Sequence, residues 1–318
     1  MSANGLMRFA SPKLSRLFGA GRAVVLKYHR VLAAPDPMRP GETTAGEFDA
    51  QMRAVAGAFR SETFGDFMRG RSAPSYKDNT VVVTFDDGYR DNYDVALPIL
   101  KKHGIRATIF VASEYLDGGA MWNDRLLEAM SASVGRTVDL EEAGLGKVRV
   151  ASLEDASRLA QKTLSSIKRW PQEQRAGFVA GVAKSCAHTG GERIMLNARE
   201  AVALADAGME IGAHTVTHPI LSTLSPDESW AEISESKTAL ERVLGREVTT
   251  FAYPNGRPNK DFTEADVERV KRAGYIGAVT THWACATPNA DPFQVPRQGI
   301  WGSNRAKLWL QLLRNFRR

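Results

Sequence analysis

Six short apolar runs rich in β-branched residues recur along the chain. They are Ala23–Tyr28, Thr80–Phe85, Ala107–Val111, Met209–Ala213, Thr249–Tyr253 and Ile276–Thr281. Stretches with helical spacing lie between most of these runs, and such alternation is typical of βα units around a parallel sheet. The pattern therefore predicts an α/β fold with parallel strands.

The helices are predicted from the spacing of apolar residues and from residues that start or end a helix. In the clearest example, Ser225-Pro226-Asp227-Glu228 is a start signal and Gly245 a stop signal. Between them lies one apolar stripe of Trp230, Ile233, Leu240 and Leu244. A second helix is predicted over residues 92–103, although Pro98 disfavours its first half because proline cannot donate a helical hydrogen bond.

Residues of about 114–196 break the alternation of strands and helices. This stretch has Gly-rich turns and two weak helical patterns, and no strand as strong as those elsewhere. We interpret it as a helical insertion that caps the site and shapes the choice of substrate. Trp122 and Asp124 are its candidates for contact with a sugar, and the alternative for Trp122 is simple packing beneath the insertion.

The length and composition favour one large domain. The chain has 318 residues, of which 43% are hydrophobic, and α/β barrels of about 200–250 residues commonly form a single domain. We therefore expect one catalytic domain over residues 1–318, with its core at about 22–300. The net charge is +6, but no nucleic-acid-binding motif accompanies it, so no nucleic-acid partner is predicted.

The segment 305–318 is both basic and amphipathic. Docking of its apolar face on the domain is the common interpretation of such a stripe. Peripheral contact with an anionic membrane is the alternative.

Basic residues interrupt the first 22 positions, so no secretory signal is predicted, and no apolar run is long enough to span a membrane. The two cysteines show no metal-ligand spacing. We expect a cytoplasmic protein, and the membrane alternative for its tail would attach it to the inner membrane face.

Two pairs of polar residues at strand ends are the candidates for chemistry. Asp86 and Asp87 directly follow a buried strand, and Gly88 allows the sharp turn that presents both acids. His214 and His218 follow another strand. A four-residue histidine spacing alone also fits structural histidines. Imidazoles together with a carboxylate, however, suit Zn²⁺ and related metals.

Three ordered motifs resemble those of the polysaccharide deacetylases, the carbohydrate esterase family 4 proteins with a NodB-homology domain. The motifs are Thr84-Phe85-Asp86-Asp87-Gly88-Tyr89, His214-Thr215-Val216-Thr217-His218 and Phe251-Ala252-Tyr253-Pro254-Asn255-Gly256. The resemblance covers roughly residues 22–300 apart from the insertion, and the family fold is a distorted (β/α)-barrel of about seven strands. It is nearest to the poly-N-acetylglucosamine deacetylase-like members, which carry an early Tyr-His motif.

The resemblance also implies roles for individual residues. Asp87, His214 and His218 become the ligands of a divalent metal, most simply Zn²⁺, and Asp86 becomes the general base. Three protein ligands leave one position open for water, whose pKa a bound Zn²⁺ lowers toward about 7. The backbone N–H of Tyr253 is the expected donor to the oxyanion that forms during amide hydrolysis.

The chain departs from the family pattern at two places. The late Leu-x-x-His motif that supplies the general acid is missing, so His29 or His282 must replace it, and His29 in the early Tyr-His motif is favoured. The arginine that many members place before the third motif is also absent. Arg297 is a candidate substitute in the substrate-binding region, and a surface salt bridge is its simpler interpretation.

The sequence therefore predicts a metal-dependent hydrolase that removes acetyl from N-acetylhexosamine units of an oligo- or polysaccharide or of a lipid-linked glycan. One alternative keeps the chemistry but takes a small non-sugar amide as substrate. Another is a carbohydrate-binding relative that has lost catalysis, which would have no use for a base beside a metal. The oligomeric state is not determined by the sequence.

Overall fold

The structure is a computed structural model, and it describes residues 22–57, 59–71, 80–116, 118–188, 190–287, 289–300 and 311. The chain divides into two compact units. One contains Thr43–Asp117 with the segments before Ala34 and after Met195, and the other contains Ala34–Glu42 and Gly118–Met195. The basic tail 305–318 lies outside the described residues except for Gln311.

Twelve strands are numbered along the described chain, and β7 and β8 belong to the second unit. They are β1 (Ala23–Tyr28), β2 (Val31–Leu32), β3 (Thr43–Thr44), β4 (Arg60–Glu62), β5 (Thr80–Phe85), β6 (Ala107–Val111), β7 (Thr137–Leu140), β8 (Gly146–Arg149), β9 (Glu210–Ala213), β10 (Thr250–Ala252), β11 (Gly277–Val279) and β12 (Gln298–Gly299). The six predicted strands are present, with shorter ends at β9, β10 and β11.

The described α-helices span Ala45–Ala56, Phe64–Gly70, Leu97–His103, Trp122–Ser131, Leu153–Ile167, Gln172–Ser185, Ala198–Asp206, Pro226–Leu244 and Glu264–Arg272. A π-helical turn, Asn92–Ala96, precedes the third of these, and 3₁₀ turns lie at Ser113–Leu116 and Leu221–Thr223. Pro98 lies in the first turn of its helix, where a missing N–H costs little. Among the described residues, no helix has both the length and the apolar character that crossing a membrane requires.

The first unit is built on a parallel sheet with the strand order β11-β10-β9-β6-β5-β1-β12, and β4 also pairs with β5. Val295 forms a parallel bridge to Val279 of β11, and β12 then pairs with Leu26 and Lys27 of β1. The short segment 295–299 therefore connects the two edges of the sheet. This arrangement confirms the predicted distorted (β/α)-barrel, which closes through residues too few and too polar to be recognised as a strand from the sequence.

Side-chain alternation along the strands divides the first unit into two apolar layers. Val82 packs with Phe110 and Val279 in one cluster, whereas Val81 and Val83 of the same strand belong to the larger cluster that includes helix residues. Successive residues of a strand point to opposite faces, so β5 is buried on both sides. A strand buried in this way reads as the continuous apolar run from which it was predicted.

The helix Pro226–Leu244 has the boundaries that its sequence predicted. Ser225 and Glu228 form a reciprocal capping box, and Gly245 adopts the left-handed conformation with φ of 64°. Ile233 and Leu240 are fully buried. Trp230 departs from the predicted stripe, because it is partly exposed and its ring lies 4.1 Å from the Arg272 guanidinium carbon.

The second unit has more regular structure than the sequence indicated for the insertion. It contains three helices and an antiparallel hairpin of β7 and β8, where only two weak helical stretches were expected. It also includes the distant segment Ala34–Glu42. Met38 is buried in this unit's core, and Arg39 donates to Asp124 at 3.2 Å. Contacts between residues so far apart in sequence leave no local pattern.

Candidate active site

The residues singled out for chemistry follow the carboxyl ends of parallel strands in the first unit. His29, Asp86 and His214 directly follow β1, β5 and β9. Because parallel strands end at the same edge of a sheet, their terminal side chains converge there, which is where α/β barrels carry their active sites.

Asp87, His214 and His218 bring their ligand atoms within 4.8 Å of one another. Asp87 Oδ1 lies 3.5 Å from His214 Nε2 and 3.3 Å from His218 Nε2, and this buried oxygen accepts no hydrogen bond from the described residues. Atoms bonded at about 2.0–2.2 Å to a tetrahedral ion lie roughly 3.3–3.6 Å apart, so both separations match. A buried oxygen without a hydrogen bond needs a partner. The three residues therefore fit a divalent metal.

The surroundings of the two imidazoles suit metal ligation. His214 Nδ1 lies 2.7 Å from the Ala252 carbonyl oxygen, which can only accept, so Nδ1 carries a proton and Nε2 is the ring nitrogen that faces Asp87. Burial lowers the pKa of His218 to about 4 despite the neighbouring Asp87 carboxylate. Burial raises the pKa of Asp87, but His218, His214 and His29 together outweigh it, and the resulting pKa is below the ordinary value.

The backbone of these motifs is in an uncommon conformation. Asp87, Thr215 and His218 are non-glycine residues with positive φ of 75°, 65° and 59°. At Gly88, φ is 87°, and an added Cβ would lie 3.0 Å from a methyl carbon of Val111. Residues held in sparsely populated conformations cluster at functional sites. The sharp turn predicted at Gly88 therefore begins one residue earlier, at Asp87 itself.

Asp86 is held by Arg297 through a bidentate ion pair. The guanidinium donates to the two carboxylate oxygens at 2.6 and 2.8 Å, and it also donates to Thr84 Oγ1 at 3.1 Å and to the Thr280 carbonyl at 3.0 Å. Arg297 is 1% exposed, so its interpretation as a surface salt bridge is wrong. Burial raises the pKa of Asp86, but the charge and hydrogen bonds of Arg297, together with the nearby histidines, outweigh it and lower this pKa to about 2.

The two candidate general acids differ in their surroundings. His29 is partly buried, and its charge when protonated is one of the smaller influences that lower the pKa values of Asp86 and Asp87. His282 is exposed, and its backbone N–H donates to Thr280 Oγ1 at 3.2 Å. His29 is therefore electrostatically coupled to both carboxylates of the site.

The Tyr253 side chain lies in the core, and its backbone N–H is hydrogen-bonded within the sheet. The ring is fully buried against Phe262, with the centroids 3.8 Å apart. Its N–H donates to the Val279 carbonyl at 3.3 Å, which is longer than the usual N–H···O distance of about 2.7–3.2 Å. The expected oxyanion donor therefore already has a partner in the sheet, through a weak bond.

Two residues that the sequence analysis did not identify hold the segment that carries His29. Asp91 accepts a hydrogen bond from the Val31 N–H at 3.0 Å and another from Arg30 Nε at 2.7 Å. Asn92 Nδ2 donates to the His29 carbonyl at 2.9 Å. Asp91 and Asn92 are visible in the sequence as a polar pair soon after the acidic motif. No local sequence pattern, however, indicates that this pair contacts the segment after β1.

The proposed sugar contacts of the insertion have other partners within the second unit. Asp124 is 1% exposed and accepts a hydrogen bond from Arg39. The Trp122 ring lies 4.5 Å from the Arg175 guanidinium carbon. Asp124 is therefore part of the internal packing of that unit, and its predicted contact with a sugar is wrong. The structural interpretation of Trp122 is favoured.

Comparison with known families identifies the chain. Residues 73–139 and 169–276 match the family described as Polysaccharide deacetylase. These ranges make up more than half of the 318 residues and include the acidic motif, the histidine motif and the Tyr253 motif. The chain belongs to the polysaccharide deacetylase family, as its motifs predicted.

Individual relatives agree with this family. YxkH of Bacillus subtilis (strain 168), named for the same family, is 24% identical over 228 residues, or 72% of this chain and 51% of YxkH. The chain thus spans about half the length of that relative. The Streptococcus pyogenes deacetylase PplD, solved with acetate, has a TM-score of 0.59 at 19% identity, covering 91% of this chain and 97% of PplD. IcaB from Ammonifex degensii has a TM-score of 0.58 at 19% identity, covering 93% of this chain and 97% of IcaB. At these identities the structures show a shared fold.

Proposed function

We propose that this protein is a metal-dependent hydrolase that removes N-acetyl groups from N-acetylhexosamine units of an oligosaccharide, a polysaccharide or a lipid-linked glycan. One observation carries the proposal: three side chains that fit a divalent ion lie beside an ionised Asp86 in a member of the polysaccharide deacetylase family. A base next to a metal site suits hydrolysis and has no use in a binding protein.

In this proposal, Asp87, His214 and His218 hold the ion. Two imidazoles and one carboxylate are a donor set that suits Zn²⁺ and leaves a position open. A bound Zn²⁺ would supply a Lewis acid and lower the pKa of water. Asp86 accepts the proton of the attacking water, and its low pKa keeps it ionised until then. Arg297 fixes the orientation of the Asp86 carboxylate at the expense of some basicity.

The remaining steps concern the carbonyl oxygen and the leaving amine. Tyr253 N–H is the backbone donor that we assign to the developing oxyanion, because its bond to Val279 is long enough to be shared. His29 donates a proton to the departing nitrogen. Its coupling to Asp86 and Asp87 supports this assignment over the exposed His282.

Acetate is the acid product of the proposed reaction. PplD, which shares the fold, is a deacetylase that was solved with acetate. The substrate class is tested by incubating the full chain, loaded with Zn²⁺, with N-acetylglucosamine oligomers, lipid-linked N-acetylated glycans and small non-sugar amides. Mass spectrometry should show deacetylated sugars. Turnover of the small amides alone would indicate an amidohydrolase that acts on non-sugar substrates. Sugar binding without turnover would indicate a carbohydrate-binding relative that has lost catalysis.

The role of His29 is tested by changing the leaving group. His29→Ala should lower turnover of N-acetylated sugars by about 10²-fold or more, because an amine must be protonated as it leaves. An activated acetate ester needs no such proton and should be largely spared, and the matched variant His282→Ala should be near wild type. The opposite result for the two variants would assign the acid role to His282.

The membrane partner and the cytoplasmic location remain proposals based on the sequence. The basic, apolar segment 305–318 supports contact with anionic lipid. Removal of the segment from Arg305 onward should release the protein from anionic liposomes in a sedimentation assay, without loss of activity on soluble sugars. A full chain that never sediments with these liposomes would argue for a docked helix instead.

A further inference from the structure

The loop between the two metal-binding histidines has to be kept in an unfavourable shape. It leaves β9 at His214 and returns to the site at His218, and both Thr215 and His218 have positive φ. Such conformations persist only where the surrounding structure determines them strongly. The contacts that hold this loop therefore decide where the two imidazoles point.

One edge of the loop is fixed through its carbonyl groups. Ser113 N–H donates to the Thr215 carbonyl and Glu114 N–H donates to the Val216 carbonyl, each at 3.1 Å. Both donors belong to the 3₁₀ turn that follows β6. Within the loop, Thr215 Oγ1 accepts a hydrogen bond from the His218 N–H at 3.1 Å.

The other edge is fixed by a single side chain, Glu232, from the helix Pro226–Leu244. Its Oε2 accepts hydrogen bonds from the backbone N–H groups of Val216 at 2.7 Å and Thr217 at 2.9 Å. Its Oε1 accepts a hydrogen bond from Thr217 Oγ1 at 2.6 Å. Hydrogen bonds to an ionised acceptor are shorter and stronger than those between neutral groups. Glu232 therefore holds both residues that precede His218.

We infer that Glu232 is a positioning residue for the metal site, acting through the loop that carries His214 and His218. The inference rests on the proposed function, because it concerns the same ion. Glu232 touches neither the imidazoles nor Asp87, so its effect is on geometry. The separations of Asp87 Oδ1 from the two Nε2 atoms suit a tetrahedral ion, and the three ligand atoms lie within 4.8 Å of one another. Release of one edge of the loop would let His218 move away from that position.

The test compares Zn²⁺ affinity between variants, measured by competition with a chromophoric chelator. Glu232→Ala should raise the Zn²⁺ dissociation constant by about 10- to 100-fold, as is typical when a partner that orients metal ligands is lost. Glu232→Gln should stay within about 3-fold of wild type, because its amide oxygen can accept both N–H bonds and its amide nitrogen can donate to Thr217 Oγ1. Glu235→Ala, which removes an exposed carboxylate from the same helix, is the matched control.

A milder variant guards against misfolding of Glu232→Ala. Thr217→Val removes one of the three hydrogen bonds and keeps the backbone N–H, and it should weaken Zn²⁺ binding by about 2- to 10-fold. Thermal unfolding of the metal-free variants separates geometry from general stability. A lower unfolding temperature for Glu232→Ala with an unchanged dissociation constant would overturn the inference.

Two further results would also count against Glu232 in this role. Equal losses in Glu232→Gln and Glu232→Ala would mean that charge, and not the hydrogen-bond pattern, is responsible. Equal affinity in Glu232→Ala and Glu235→Ala would show that the loop does not need this carboxylate. A wild-type chain that binds no Zn²⁺ would instead overturn the proposed function, and a chain that binds Zn²⁺ normally in every variant would overturn the positioning role alone.

Discussion

Two carboxyl groups near opposite ends of the same barrel have opposite electrostatic surroundings. Asp86, after β5, is paired with Arg297, and its pKa is lowered to about 2. Glu210 begins β9, and burial raises its pKa. Glu210 receives its hydrogen bonds from neutral groups: Thr108 Oγ1 at 2.6 Å, Thr250 Oγ1 at 2.9 Å and the Gly65 N–H at 2.8 Å.

The difference shows what converts a buried carboxyl into a base. Burial disfavours the charged form of both groups, and at Glu210 the hydrogen bonds from neutral donors, with a smaller influence of the Arg69 charge, do not fully offset that cost. At Asp86 the charge and the direct hydrogen bonds of Arg297, together with nearby histidines, do offset it. Glu210 begins β9, and His214 directly follows the end of the same strand. The same barrel therefore holds one carboxyl whose pKa is raised, at Glu210, and one whose pKa is lowered, at Asp86 beside the metal ligands.

The largest predicted difference between Asp86 and Glu210 is in the rate of catalysis. Asp86→Asn should lower acetate release by about 10²- to 10⁴-fold, the usual contribution of a general base, while bound Zn²⁺ remains near wild type. Glu210→Gln should stay within about 3-fold, since its amide can replace the carboxylate in the same hydrogen bonds. Enzymatic assay of acetate, with elemental analysis of each variant, measures both quantities. Loss of the ion in Asp86→Asn would exchange the roles assigned to Asp86 and Asp87.

The second prediction concerns the free energy of unfolding. Arg297→Met should destabilise the metal-free protein by about 3–5 kcal/mol, because it leaves the buried Asp86 carboxylate without its cation. The double variant Asp86→Asn, Arg297→Met should recover much of that loss. Urea denaturation gives the values. A loss in Arg297→Met no greater than in Glu210→Gln would mean that the two carboxyl groups do not differ as described.

The smallest predicted effect is a difference in pH dependence. The pKa of Asp86 is lowered in the folded protein, so Asp86 adds stability above about pH 4, its ordinary pKa. That contribution, about 2 kcal/mol, is lost as the pH falls toward 2. The contribution of Glu210 to stability depends on pH with the opposite sign. Because its pKa is raised in the folded protein, the protonated carboxyl favours folding at low pH, and stability is lost as the pH rises through the pKa of Glu210.

Unfolding of the metal-free protein measured across acidic pH can separate these two contributions. Asp86→Asn should remove part of the acid-induced loss of stability, and Glu210→Gln should remove the loss that accompanies ionisation of Glu210. An unchanged acid limb in Asp86→Asn would contradict the low pKa of Asp86.

Much of this contrast could be predicted from sequence because it depends on local patterns. The β5 run is apolar on both faces, so its limits and the position of Asp86 directly after it were visible. The histidine pair was likewise visible at the end of β9. Buried parallel strands leave such continuous runs, and polar residues that interrupt them at one end are conspicuous.

The partners of these residues were harder to identify, because they come from distant parts of the chain. Arg297 could be named only as a candidate, since it lies 211 residues after Asp86 and only the fold brings them together. Glu232 lies on a helix whose periodicity reveals its buried face but not its contact with the histidine loop. Residues 34–42 join the second unit through Met38 and Arg39, which have no distinctive spacing.

The central claim is that Asp87, His214 and His218 hold the ion on which hydrolysis depends. The most direct test removes metal from the full chain with a chelator, restores Zn²⁺ in steps, and measures bound metal and acetate release in the same samples. We predict that activity rises in proportion to occupancy and saturates at about one ion per chain, and that the variant with both His214→Ala and His218→Ala neither binds Zn²⁺ nor releases acetate. Full activity in the metal-free protein would contradict this account.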